Sequence, residues 1–212
     1  MKPVFQKTVL ALALAASVAG LTACFPLLLG GAVTGALVAS DRRTSGTVVE
    51  DNGIHIKVRN RIQENLGERV HINVTAYNRK VLLTGEVPTE QDKQLAEKVA
   101  GEVENVLGVF NYLAVQGKST FSQQSNDTLV TGTVKAAIID AKDLFSNAVK
   151  VVTERGTVYL LGRVTQREAD RFVELVRAQD GVHRLVLLWE KISEEDLARM
   201  TPPATPVEAD RQ

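Results

Sequence analysis

Cysteine is almost missing from this chain: among 212 residues there is only Cys24. A lone thiol forms no intrachain disulfide and supplies no Cys-rich zinc cage. Aromatic residues make up only 5% of the sequence, too few for the stacking platforms that hold single-stranded nucleic acid. An excess of either charge is also lacking. The 25 Lys and Arg balance the 25 Asp and Glu, so there is no basic field to attract nucleic acid. No apolar run is a convincing membrane span, since the two near the amino terminus are short. GxSxG, HExxH and phosphate-binding glycine loops do not occur. His55, His71 and His183 are scattered without a ligand pattern. Catalytic residues, a metal and a cofactor are therefore not expected.

What is present begins around the cysteine. Lys2 and Lys7 form a short positive region, an uncharged Ala/Leu-rich run follows from Val9 to Gly20, and Thr22 and Ala23 are small. This is the order of a secretory signal peptide. Leu21-Thr22-Ala23-Cys24 resembles the lipobox of bacterial lipoproteins. The resemblance implies cleavage before Cys24, diacylglycerol on its thiol, and an acyl chain such as palmitate on the new amino terminus. More than one chain gives stable anchoring. Phe25, rather than Asp, follows the cysteine; in that class of protein this favours delivery to the outer membrane, here with a periplasm-facing orientation. Residues 1–23 are thus expected as signal peptide and 24–46 as a lipid-proximal tether, with Arg42 and Arg43 at the headgroups.

The rest is organised by a repeat. INVTAYNRKVLLTGEV from Ile72 aligns without a gap on VKVVTERGTVYLLGRV from Val149, at an offset of 77 residues. Val81, Leu83, Gly85 and Val87 meet Val158, Leu160, Gly162 and Val164. Upstream, Ile54, Val58 and Ile62 in one copy, and Val130, Val134 and Ile138 in the other, mark one buried helical stripe each. Asp127 is expected to cap the second of these helices. Tight turns are expected at Asn78-Arg79 and Arg155-Gly156, and Gly85 and Gly162 are read as points of close backbone packing or bulges. Thr89 is expected to cap a second helix, and a closing strand completes each copy. The predicted fold class is α+β: two tandem α-β-β-α-β modules, each a small mixed sheet with two helices on one face. Boundaries fall at 47–117 and 126–192, with a Ser-rich linker at 118–125. Residues 193–212 are expected to form a short helix, opened by a Ser193–Asp196 capping box, and a disordered Pro-rich tail. Modules this small have marginal cores, so packing of one against the other is expected.

The α-β-β-α-β repeat and its VxLxGxV core, Val81 to Val87 and Val158 to Val164, resemble BON domains. Two such domains behind a lipobox resemble the dual-BON outer-membrane lipoproteins of Gram-negative bacteria. The resemblance implies phospholipid binding without catalysis and a part in outer-membrane integrity. It also implies placement at division sites and the outer-membrane protein assembly machinery as a partner. A protein-binding adaptor for that machinery and a structural envelope spacer remain as alternatives.

The residues place lipid contact on the second module. Opposite the buried stripe of its first helix lie Leu129, Gly132, Ala136 and Ile139, with Thr133 nearby and Lys135 and Lys142 along the flank. A small apolar patch beside lysines suits shallow insertion among anionic headgroups. Asp140, also outward, opposes this attraction. The equivalent first-module face is more polar, carrying Asn60 and Gln63. The resemblance also implies lipid contact through the second BON domain. The alternative is that the patch packs against module one.

Overall fold

The computed structural model describes residues 41–200. The expected signal peptide, the lipidation site Cys24 and the tail from residue 201 lie outside the described residues. Module one runs α1 (Ser45–Leu66), β1 (His71–Tyr77), β2 (Lys80–Val87), α2 (Glu90–Gly101), β3 (Gly108–Asn111) and β4 (Ala114–Val115). Module two runs α3 (Phe121–Asp140), β5 (Val149–Glu154), β6 (Thr157–Val164), α4 (Gln166–Arg177) and β7 (Arg184–Lys191), followed by α5 (Glu194–Met200). In each, the middle strand pairs antiparallel with the strand before it and parallel with the strand after α2 or α4. The α+β repeat is the observed fold. Thr89 caps α2, and Ser193 accepts the Asp196 N–H at 3.0 Å. The closing strand of module one is split, because Asn111 turns back to accept the Leu113 N–H at 3.2 Å. This buries Leu113 and sends Tyr112 across to Tyr159, ring centroids 5.2 Å apart.

The VxLxGxV motif divides by strand alternation. Val81, Leu83 and Val87 join Ile54, Val58 and Ile62 in the core beneath α1 and α2. Val158, Leu160 and Val164 do the same beneath α3 and α4 with Phe172. The intervening positions face the other way. Leu82 meets Tyr159 and Leu161 in a third core, completed by Tyr77 and flanked by Phe110, Val152, Val186 and Leu188. The helix-free faces of the two sheets therefore close on each other. The expected contact between modules is this seam.

Two expectations are corrected. α3 begins at Phe121, not after residue 125: Thr120 caps it in a reciprocal box with Gln123. The stretch expected as a linker is, from Phe121 on, the helix's first turns. Asp127 is therefore interior and buried, and caps nothing. Its carboxylate accepts the N–H of Arg155 at 2.7 Å and of Gly156 at 2.8 Å. Asp51 on α1 does the same for Asn78 and Arg79, both at 2.7 Å. All four turn residues have positive φ, between 49° and 70°, as a two-residue hairpin requires, and the turn's own N–H groups find their acceptor on the helix behind. The preference of Asp for backbone N–H was legible; the distant turn it serves was not. Asp127→Ala should cost about 2–4 kcal/mol, since two charge-assisted bonds are lost and their donors stranded. Urea denaturation measures this, and Asp127→Asn should fall between variant and parent.

Arg42 and Arg43 are the second correction. Neither is free to meet headgroups. Arg42 is buried on module two, its two terminal nitrogens 2.6 and 2.8 Å from the Glu168 carboxylate and one of them 2.7 Å from the Arg163 carbonyl. Arg163 returns a bond to the Arg42 carbonyl at 2.9 Å. Arg43 pairs with Asp41 and Asp51, each at 2.7 Å, and lies over the Tyr77 ring at 4.4 Å. Two guanidiniums that read as lipid-facing in sequence instead tie the chain entering module one to the seam.

Candidate functional site on the second module

α3 is amphipathic in an unusual sense, because both of its long faces carry apolar groups. Asp127, Val130, Val134 and Ile138 are buried against β5 and α4. The opposite face is open: Leu129 is 70% exposed and Ile139 67%. Gly132, Thr133, Lys135, Ala136 and Lys142 are exposed with them, and nothing stands within 4 Å of where a Gly132 side chain would begin. All seven residues singled out by sequence are thus exposed, none of them buried against module one, with Lys142 just past the end of α3. The Thr133 hydroxyl donates to the Leu129 carbonyl at 3.1 Å, so it stays within the helix. Asp140 is exposed at the same end. Asp143, just beyond, is neutralised by Arg171 at 2.9 Å, and that guanidinium holds its carboxyl below the ordinary range.

The structure adds a residue that sequence reasoning missed. Phe121 is 85% exposed and lies on nearly the same side of the helix as Ile139, 18 residues later, at 100° per residue. Assigning 118–125 to a linker hid it. The Thr120-x-x-Gln123 box, a helix-start pattern, is the signal that would have found it. The outward strip from Phe121 to Ile139 is about 27 Å long at 1.5 Å per residue. Module one is less polar than expected on its own outer face: Val49 and Ile56 on α1 are 71% and 56% exposed, but no aromatic accompanies them on that helix.

The histidines sit apart from this surface. His55 Nδ1 lies 3.0 Å from the Val74 carbonyl. The His183 ring packs where a Gly156 side chain would otherwise stand. His71 Nδ1 is 2.9 Å from Glu86 Oε2 at the seam.

Comparison with known proteins matches the BON domain to residues 50–117 and again to 126–186. The chain belongs to the BON-domain family. It is 34% identical over 172 residues to the outer membrane lipoprotein DolP of Haemophilus influenzae, covering 80% of this chain and 89% of that one. It is 32% identical to the 21 kDa hemolysin of Actinobacillus pleuropneumoniae, over 69% of this chain and 76% of that one. It is 31% identical to the osmotically-inducible protein Y of Escherichia coli, over 70% and 76% respectively. A lipid-anchored outer-membrane location, expected from the lipobox, agrees with the first of these. Among the described residues no helix is long and apolar enough to cross a membrane. The two BON domains meet at the seam, and the outward strip starts at Phe121, ahead of the second match, and runs into the second domain.

Proposed function

We propose that this BON-domain envelope protein, held at the outer membrane by acyl chains on Cys24, binds anionic phospholipid through the outward face of α3 and thereby supports membrane integrity. Its role is binding rather than catalysis. The observation that carries this reading is the strip itself: Phe121, Leu129 and Ile139 stand exposed along one helix face beside Lys135 and Lys142. Large apolar groups in a row on an otherwise well-packed protein mark an interaction surface. Gly132 and Ala136 let the helix backbone approach the headgroup layer. Each lysine contributes about 1 kcal/mol of attraction near an anionic surface, so added salt should weaken the association.

Vesicle flotation tests the proposal, with protein starting after Cys24 so that the anchor does not contribute. Leu129→Glu combined with Ile139→Glu should weaken binding to phosphatidylglycerol-rich vesicles at least tenfold, roughly the loss of one or two inserted side chains. Both positions are exposed, so the fold should be retained. Undiminished binding by the folded double variant would reject the site. Phe121→Ser should produce a similar though smaller loss.

A further inference from the structure

We propose that the seam between the modules holds a site for one divalent transition-metal cation of the zinc type, ligated by His71 and Glu86 of the first module and Glu154 of the second. The candidate ligand atoms of these three residues lie within 4.8 Å of one another. All three come from strands. His71 opens β1, Glu86 stands opposite it on β2, and Glu154 closes β5. Their backbones are therefore fixed by the sheets rather than by loops.

Charge balance gives the physical reason for a cation. Glu86 is fully buried, yet compensated: Arg155 donates to its Oε1 and the Ser119 N–H to its Oε2, both at 3.1 Å. Asp127 nearby spends its carboxylate on the two turn N–H groups. Glu154 is 7% exposed, and its hydrogen bond, at 2.9 Å, comes from the neutral amide of Asn73. Burial, together with the Glu86 and Asp127 charges, pushes its carboxyl above the ordinary value. A buried carboxylate held by a neutral amide is costly, and Arg155 bonds to Glu86 rather than to Glu154, which leaves Glu154 short of positive charge. A dication shared by Glu154 and Glu86 Oε2 removes that imbalance and leaves Arg155 on Oε1.

Space and ligand chemistry agree. A cavity of about 200 Å³, lined by His71, Asn73, Asp127, Thr153 and Glu154 among others, adjoins two of the three ligands, His71 and Glu154, and accommodates water to complete the coordination. An imidazole nitrogen with two carboxylates suits zinc better than calcium or magnesium, which prefer all-oxygen shells. Zinc bonds of about 2.0–2.1 Å place neighbouring ligand atoms about 3.3 Å apart. The His71–Glu86 separation of 2.9 Å must therefore open slightly, with the His71 nitrogen giving up its contact to the carboxylate, and Glu154 must turn inward. The ion would bridge the modules.

Thermal unfolding of the chelator-treated full chain, with zinc chloride or magnesium chloride added, tests this together with zinc titration against a fluorescent chelator. Zinc should bind one to one and raise the melting temperature by about 5–10 °C at a hundredfold excess over its dissociation constant, whereas magnesium should not. Glu154→Gln keeps the shape and can still pair with Asn73. It should melt higher than the parent without zinc and lose at least tenfold in zinc affinity. His71→Gln should lose affinity likewise. Absence of a zinc shift, a fall in melting temperature with zinc, or unchanged binding by both folded variants would overturn the site. None of these outcomes bears on vesicle binding by α3.

Discussion

Arg42→Ala should cost about 3–5 kcal/mol, the range for breaking a buried ion pair from one side. The side chains of Arg42 and Glu168 are 5% and 1% exposed, and their two parallel bonds have the fork geometry only arginine offers. Without Arg42, Glu168 keeps the Thr165 N–H at 3.0 Å and the favourable start of α4, but loses its counter-charge where water does not replace it. Arg42→Lys restores the charge without the fork and should recover only part of the loss. The dependence on pH follows from Glu168. Burial raises its carboxyl, but Arg42 and the Thr165 N–H outweigh burial and hold it below 4.5. A lowered folded-state value stabilises fully above the unfolded value, and that stabilisation is lost as pH falls through the folded one. The unfolded state cancels between parent and Arg42→Ala, so their gap should be full at neutral pH and narrow on acidification as Glu168 takes up a proton, first in the variant, which lacks the guanidinium, and last in the parent. A gap that stays constant down to pH 3 would show that Arg42 acts through packing alone. A chain begun at residue 50, where the family match starts, should lose more, since Arg43 and the first turn of α1 go with Arg42.

Gly85→Ala should be comparably damaging, at about 3–5 kcal/mol. Gly85 has φ +110°, and a side chain there would sit 2.1 Å from the His71 carbonyl oxygen. The conformation alone costs a non-glycine residue about 1–3 kcal/mol, and relieving the overlap means prising β1 from β2, a further 1–3 kcal/mol. Gly162, its counterpart in the second module, is a useful contrast. It lacks the positive φ, although a side chain there would still meet the Ala148 carbonyl at 2.6 Å and the Val149 side chain at 2.9 Å. Gly162→Ala should thus be the milder change in urea denaturation, and the reverse order would assign the motif glycine to packing rather than backbone conformation.

What was legible in the sequence was local or periodic. The stripe Ile54–Val58–Ile62, the Thr89 cap and the motif's alternation follow from neighbours a few residues apart. The seam also left a trace: Leu82, Tyr159 and Leu161 are large and apolar at positions where a one-sided sheet would carry polar groups. The outward face of α3 was read from helical spacing, except for Phe121. The roles of Asp51, Asp127, Arg42 and Glu86 were hidden because each is set by a group far along the chain. An Arg after an apolar run looks the same whether it meets a headgroup or Glu168.

The fully buried Glu86 also settles which modules fit together. Its guanidinium comes from Arg155, and the residue at that place in the first module is Asn78, 77 positions earlier. Two first modules meeting through the same faces would leave each Glu86 opposite an amide, closed off from solvent and without a cation. Copies tethered to one membrane encounter each other at high effective concentration, which rewards any self-complementary surface. The charge difference between the repeats penalises such mismatched pairs, so a duplicated unit keeps its two halves as mutual partners.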